Sequence, residues 1–168
     1  MRSLRPNVLV FDFDGVLTDN KVYVGQDGTE MVRCNRSDGL VFDVFRKLRL
    51  RVFIISRESN PVVAARARKL QVPLIQAVTD KLDALSSLAA KEGFTLAETL
   101  FVGNDLNDFH VMKASGTSAC PADSHPRIRE IATYVLETKG GDGVAGEIAE
   151  KVLGIDIAEV LGPVHDKA

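Results

Sequence analysis

The chain is 168 residues long with 45% apolar and 26% charged residues, enough for one soluble domain with a real core and too little for two comfortable ones. A formal charge of −2 removes any general reason to expect nucleic acid or an anionic membrane as a partner. The two cysteines, Cys34 and Cys120, have no paired spacing and indicate neither a disulfide framework nor a zinc site, and no stretch approaches the ~18 apolar residues of a membrane span.

Val8–Phe13 reads as a buried strand. Asp12 and Asp14 interrupt that apolar stretch before a signal-peptide core could form, so the chain reads as cytoplasmic. Val22–Val24 and Glu30–Arg33 flank the turn GQDG and predict a small hairpin over about 20–34. In SDGLVFDVFRKLRL, residues Leu40, Val41, Val44, Phe45 and Leu48 share a helical face, with Ser37 or Asp38 available as the cap. Val52–Ser56 is a second core strand, and Pro61 opens a helix that runs to about Leu70.

Leu74–Gln76 reads as a short strand and Lys81–Glu92 as a helix. Thr95 and Glu98 have the spacing of a capping box just before the strand Leu100–Gly103. Leu106–Ala114 is helical, Thr117–Cys120 a strand, His125–Ala132 a helix and Tyr134–Leu136 the last strand. GGDG at 140–143 leads into a closing helix, Val144–Leu153, and the tail over 155–168 is weakly patterned and reads as loose. Strand and helix alternate with short links. That predicts an α/β, Rossmann-like parallel sheet with helices on both faces, in one domain over 1–154.

Ligands of such sheets bind beyond the carboxyl ends of the strands. Asp12 and Asp14 follow the first strand, Ser56 ends the second, Lys81 opens a helix after the third, and Asn104, Asp105 and Asp108 follow the fourth. Ionised carboxylates side by side repel, and each costs roughly several kcal/mol if desolvated without a partner. A hard divalent cation answers that problem, and Mg²⁺ takes one or two carboxylates together with phosphate oxygens. Asp12 and Asp105 are the candidate ligands, with a backbone carbonyl near Asp14 as a third. Ser56 and Lys81 are donors suited to phosphate oxygens, and Arg57 stands beside Ser56.

Each segment alone has a plainer reading: DxD as a turn, GNDLND as a helix cap. DFDG is not the start of an EF-hand, because Val16 stands at position five and the glycine comes at the fourth place. Order and spacing taken together point to phosphoryl transfer. DFDGVLTD, IISRE, Lys81 and GNDLND resemble the four signature motifs of the haloacid dehalogenase superfamily of phosphohydrolases, over residues 8 to about 150.

The resemblance implies that Asp12 is the nucleophile, forming an aspartyl-phosphate, and that Asp14 protonates the leaving alcohol and then activates water. It implies that Ser56 and Lys81 bind the phosphoryl group, that Asp105 completes a Mg²⁺ site with Asp12 and Asp14, and that Asp108, with Asn104 beside it, orients these groups.

Many members of this superfamily carry a cap domain. Here the gap from Asp19 to Asp38 fits a hairpin and no domain, and only residues 57–80 separate Ser56 from Lys81. The chain reads as capless, so its site takes a large substrate or borrows a lid from a neighbouring subunit. That layout resembles the 3-deoxy-D-manno-octulosonate 8-phosphate phosphatases, which implies a homotetramer with shared active sites. ISRESNPVVAARARKL also resembles the phosphatase-like C-terminal domains of acylneuraminate cytidylyltransferases and the phosphatases of nine-carbon 2-keto acids.

On that branch Glu58 would accept sugar hydroxyls, and Arg66 and Lys69, on one helix face, would bind a substrate carboxylate, offered across a subunit boundary. The family's Gly-Gly-Arg-Gly-Ala motif and a following arginine are replaced by Asp142 and Gly146 in GGDGVAGE. The expected activity is Mg²⁺-dependent release of orthophosphate from a phosphorylated 2-keto-3-deoxy sugar acid of eight or nine carbons. The alternatives are a non-catalytic oligomerisation module related to the cytidylyltransferase domain, and a phosphatase of broad sugar specificity.

Overall fold

The computed structural model describes residues 6–162. In chain order, β1 (Val8–Phe11) is followed by the hairpin β2 (Thr18–Val24) and β3 (Glu30–Cys34), then α1 (Arg36–Lys47), β4 (Arg51–Ile55) and α2 (Pro61–Leu70). Next come β5 (Leu74–Ile75), α3 (Lys81–Glu92), β6 (Thr99–Val102), α4 (Phe109–Ala114), β7 (Thr117–Cys120) and α5 (Pro126–Ile131). β8 (Tyr134–Val135), α6 (Val144–Glu147) and α7 (Ile157–Leu161) complete the described part.

The six-stranded sheet has the order β5-β4-β1-β6-β7-β8, and every pair in it is parallel. β1 lies between β4 and β6 and is fully buried, as a continuous apolar run in a parallel sheet requires. Its side chains alternate between two cores. Leu9 and Phe11 join Phe42 and Phe45 of α1 and Val144 of α6, while Val8 and Val10 join Leu85 and Leu88 of α3 and Val111 of α4. The chain builds outward from β1 to β5 and then returns to build from β6 to β8. The reversal at β1 opens a crevice at the carboxyl ends of β4, β1 and β6. No cap domain occurs among the described residues; only the two-stranded hairpin β2–β3 stands apart from the sheet. No helix among them is long and apolar enough to cross a membrane.

Several elements differ from the sequence reading. The cap of α1 is Asn35, whose Oδ1 accepts from the Ser37 N–H at 2.9 Å. Asp38 is free to turn inward, where its Oδ1 accepts from the Ala145 N–H at 3.2 Å. Starting the helix at Arg36 buries Val41, Phe42, Val44 and Phe45 and leaves Leu40 and Leu48 exposed, so the buried face is rotated from the expected one. Residues 106–114 are a 3₁₀ turn, Leu106–Asp108, followed by α4, because Asp105 and Asp108 form a reciprocal capping box at the start of that turn. The closing helix passes into a π-helical stretch, Ile148–Val152. The tail, expected to be loose, includes α7, with Ile155 and Ile157 packed against the α1 core; 163–168 lie outside the described residues.

Candidate active site

β1 ends at Phe11, and the N–H of the next residue, Asp12, still donates to Val102 O of β6 at 2.9 Å, so the strand delivers this carboxylate straight into the crevice. The next turn brings the first segment hard against the fourth. Gly15 has φ +83°, and a Cβ there would lie 1.9 Å from Asn104 Nδ2, so only glycine permits the approach. Gly103 is equally confined: its Cβ would meet Asp108 Cγ at 2.7 Å.

Lys81, the first residue of α3, lies behind Asp12. Its Nζ is 2.7 Å from Asp12 Oδ1 and 2.5 Å from Asp108 Oδ1, with all three side chains at most 5% exposed. The other oxygen of Asp108 accepts from the N–H groups of Asn104 (2.9 Å) and Asp105 (3.3 Å), which fixes the loop after β6. Ser56, at the end of β4, is held by its N–H to Ile75 O, and its Oγ accepts from the Glu58 N–H at 3.1 Å, leaving the hydroxyl proton free to donate.

Asp12, Asp14, Ser56, Arg57, Glu58, Asn104 and Asp105 line one polar cavity of about 350 Å³. Asn20 and Asn107 line it too, and the sequence reading did not single them out. Asn20 has φ +62° where the β2–β3 register shifts, between Thr18 and Val22. An asparagine closely following a DxD turn is the one signal that could have marked it. Lys81 and Asp108 lie beneath the wall instead of in it.

Arg66 and Lys69 are not brought to this cavity within one chain. They line a separate cavity of about 590 Å³ between α1 and α2, where Arg66 Nη2 donates to Asn35 O at 2.6 Å. A larger groove of about 700 Å³ runs along the β5 edge, but its wall is mainly apolar and holds none of the expected site groups.

Burial, and next the neighbouring Asp108, push the Asp12 carboxyl up to about 7, against the pull of Lys81. Two carboxylates against one ammonium leave this dry pocket a net negative charge, and a further cation would return Asp12 to its ionised form. Asp14, half-buried, is also raised, by burial first and then by Glu58 and Glu30, with Lys81 opposing. Burial works against the Lys81 ammonium, but Asp12 and Asp108 more than offset it and hold its pKa above the ordinary lysine value.

The residues fit a small hard cation. Asn104 Oδ1 is buried without a hydrogen-bond partner among the described residues. No three His, Cys, Asp or Glu side chains converge into a cage among the described residues, and the expected set needs none, since only Asp12 and Asp105 would offer side-chain carboxylates while Asp14 would offer its main-chain carbonyl. Asp105 is exposed and its Oδ1 also accepts from the Leu106 N–H at 2.7 Å. One or two carboxylates with neutral oxygens is the donor set that suits Mg²⁺.

Comparison with known proteins agrees with this geometry. Residues 53–148 match the haloacid dehalogenase-like hydrolase family model. The chain is 34% identical over 147 residues to the 3-deoxy-D-manno-octulosonate 8-phosphate phosphatase of Salmonella typhi, covering 87% of this chain and 78% of that one. The crystal structure of the Yersinia pestis phosphatase of the same name superposes with a TM-score of 0.85 at 32% identity, covering 90% of this chain and 83% of that chain. That of Moraxella catarrhalis, described in complex with magnesium ion, phosphate ion and KDO, gives 0.86 at 27% identity, covering 90% and 88%. Signature segments in order, a parallel sheet that gathers them, and relatives that are phosphatases over most of their length lead to one conclusion: the chain belongs to the haloacid dehalogenase-like hydrolases.

Proposed function

We propose that this phosphatase hydrolyses the terminal phosphate monoester of a 2-keto-3-deoxy sugar acid, an octulosonate 8-phosphate or a nonulosonate 9-phosphate. The observation that carries the reading is Asp12: a buried carboxylate facing a polar cavity and backed by Lys81 at 2.7 Å. Asp12, Asp105, the main chain at Asp14 and Asn104 Oδ1 would hold Mg²⁺. When bound, that ion supplies neutralisation and orientation of the dianionic ester.

The chain's own groups do the rest. Ser56 Oγ and Arg57 donate to phosphoryl oxygens, while Lys81 keeps Asp12 in place and offsets the negative charge of the pocket. Asp12 attacks phosphorus as the ester bond breaks, and Asp14 gives its proton to the departing alcohol oxygen. Asp14, now ionised, takes a proton from the water that opens the aspartyl-phosphate and frees orthophosphate. Its raised pKa suits a group that must alternate between the two forms.

Support for a sugar acid comes from the names of the relatives and from the open cavity, whose rim offers Glu58 to hydroxyls. Arg66 and Lys69 would serve a carboxylate in a neighbouring subunit's site, as in a homotetramer assembled through the exposed hairpin residues Val22, Tyr23, Val24 and Met31. The free thiols Cys34 and Cys120 suit a reducing compartment, and we place the enzyme in the cytoplasm.

A phosphate-release screen with and without Mg²⁺, comparing octulosonate 8-phosphate, nonulosonate 9-phosphates and hexose phosphates, tests the reading. Turnover of one sugar acid well above the hexose esters is expected, and a flat profile would instead indicate a broad phosphatase. Asp12→Asn should keep the fold and lose turnover by more than about 10³-fold. Substantial activity in that variant excludes Asp12 as the nucleophile.

A further inference from the structure

The glycine loop at 140–143, remote in sequence from the catalytic segment, lies directly against it. The Gly141 N–H donates to Val16 O at 3.0 Å, and the Gly140 N–H is held by Asp123 Oδ1 at 2.9 Å. A Cβ on Gly140 would fall 2.2 Å from Gly15 O and 2.9 Å from Thr18 O, and one on Gly141 would fall 2.5 Å from Asp19 N. Gly15 is pressed from its other side by Asn104. The segment that carries Asp14 is therefore clamped between the loop after β6 and the loop after β8, with no space for a methyl group on either side.

We propose that Gly140 and Gly141 are positioning residues: by allowing contact of backbone on backbone, they hold residues 15–19 and so set where Asp14 faces the cavity. Asp14 itself is half-buried and has no side-chain hydrogen bond among those the structure shows, so its direction depends on the backbone that carries it. The role in turnover rests on the phosphatase reading above; the clamp is a property of the fold.

The contacts separate displacement from strain. Gly140 has no left-handed φ, so Gly140→Ala pushes the catalytic segment without straining its own backbone. Gly143 has φ +98°, but its Cβ would meet only side-chain atoms of Ser37 and Asn35, so Gly143→Ala strains the loop without the push. With whichever of octulosonate 8-phosphate and the nonulosonate 9-phosphates the wild-type protein hydrolyses faster, and with Mg²⁺, Gly140→Ala should lower kcat by about tenfold or more with KM within about threefold. Gly143→Ala should lower the melting midpoint yet keep kcat within about twofold.

Hydrogen–deuterium exchange of peptides across 14–19 supplies the second readout, independent of turnover, and should rise in Gly140→Ala alone. Should Gly140→Ala fail to fold, Asp123→Ala releases the same N–H more gently; faster exchange there, restored by Asp123→Asn, is expected. Wild-type kcat in Gly140→Ala, an equal loss in Gly143→Ala, or unchanged exchange at 14–19 overturns the proposal. A wild-type protein that hydrolyses no phosphate ester overturns the phosphatase reading instead, and the exchange experiment still decides the clamp.

Discussion

The floor of the cavity and the hairpin break opposite rules of globular structure. The floor buries Asp12, Lys81 and Asp108 at no more than 5% exposure, where charge is costly. The hairpin leaves Val22, Tyr23, Val24 and Met31 at 52%, 64%, 66% and 61% exposure, where apolar surface is costly. The difference lies in compensation. In the floor one ammonium sits between two carboxylates and main-chain N–H groups meet the second oxygen of Asp108, so most of the charge is met within the chain and one negative charge is left over. The exposed apolar residues of the hairpin belong to neither buried core of the described residues and meet each other across its two strands, as Tyr23 does Met31. The floor leaves room for a cation to balance it, whereas the hairpin keeps apolar surface exposed that the proposed subunit contact would cover.

The largest test breaks the floor. Lys81→Met leaves Asp12 and Asp108 buried and facing each other. It should destabilise the fold by about 3–5 kcal/mol in urea denaturation and abolish turnover. Adding Asp108→Asn should recover a substantial part of the stability and none of the activity. A single variant within about 1 kcal/mol of wild type would show that water or relaxation solvates the floor. The hairpin should respond in the other way. Tyr23→Asp places a charge in the proposed subunit contact and should weaken assembly about 100-fold, or about 2.7 kcal/mol, by light scattering across a dilution series. The monomer's own stability should change by less than about 1 kcal/mol, since Tyr23 is 64% exposed and loses only its cross-strand contact with Met31.

These two regions were also unequally legible in the sequence. Strand identities, the parallel sheet and the meeting of Asp12, Asp14, Ser56 and Asp105 at one cavity follow from apolar runs and strand-end positions, which short links leave few ways to arrange. The cap of α1 was not legible, because Asn35, Ser37 and Asp38 are all capable caps and only the demand of Ala145 for an acceptor turns Asp38 inward. Asn20 was hidden because a register shift inside a hairpin has no periodic signal. The placement of Arg66 and Lys69 depends on a contact between α1 and α2 that helix periodicity does not encode.

Asp38 extends the comparison to a buried charge that lacks the floor's compensation. Burial pushes its pKa up to about 6, against the Ala145 N–H and the nearby Arg66, and its Oδ2 has no partner among the described residues. The folded chain therefore binds the Asp38 proton more tightly than the unfolded chain does. The stability this gives is complete below about pH 4 and is lost as pH rises through about 6. The ceiling of this contribution is about 3 kcal/mol. Asp38→Asn keeps an oxygen for Ala145 and removes the ionisation, at the cost of a buried amide donor. We expect a gain of about 1–2 kcal/mol at pH 8 and none near pH 4, from denaturation at both values. A gain that does not depend on pH would mean that packing, not charge, decides this position.

The smallest effect is expected at the wall beside the floor. Ala77 has φ +58°, a conformation that side chains with a Cβ adopt at a cost of about 1–2 kcal/mol. The turn it makes aims two N–H groups back at the phosphate-binding segment: Ala77 donates to Glu58 O at 3.2 Å and Val78 to Ser56 O at 3.3 Å. Strain here is thus held in place by the same segment it supports. Ala77→Gly relieves it, while the extra freedom of glycine in the unfolded chain takes back about 0.4–1 kcal/mol. A net gain of about 0.5 kcal/mol should raise the melting midpoint by about 1–2 °C and leave kcat unchanged. Ala77→Val should act in the opposite direction, because a β-branched residue tolerates this backbone least. If the glycine variant gains stability but loses turnover, the strained turn is itself what keeps Ser56 in register with Asp12, and the floor then depends on its wall as well as on its own charges.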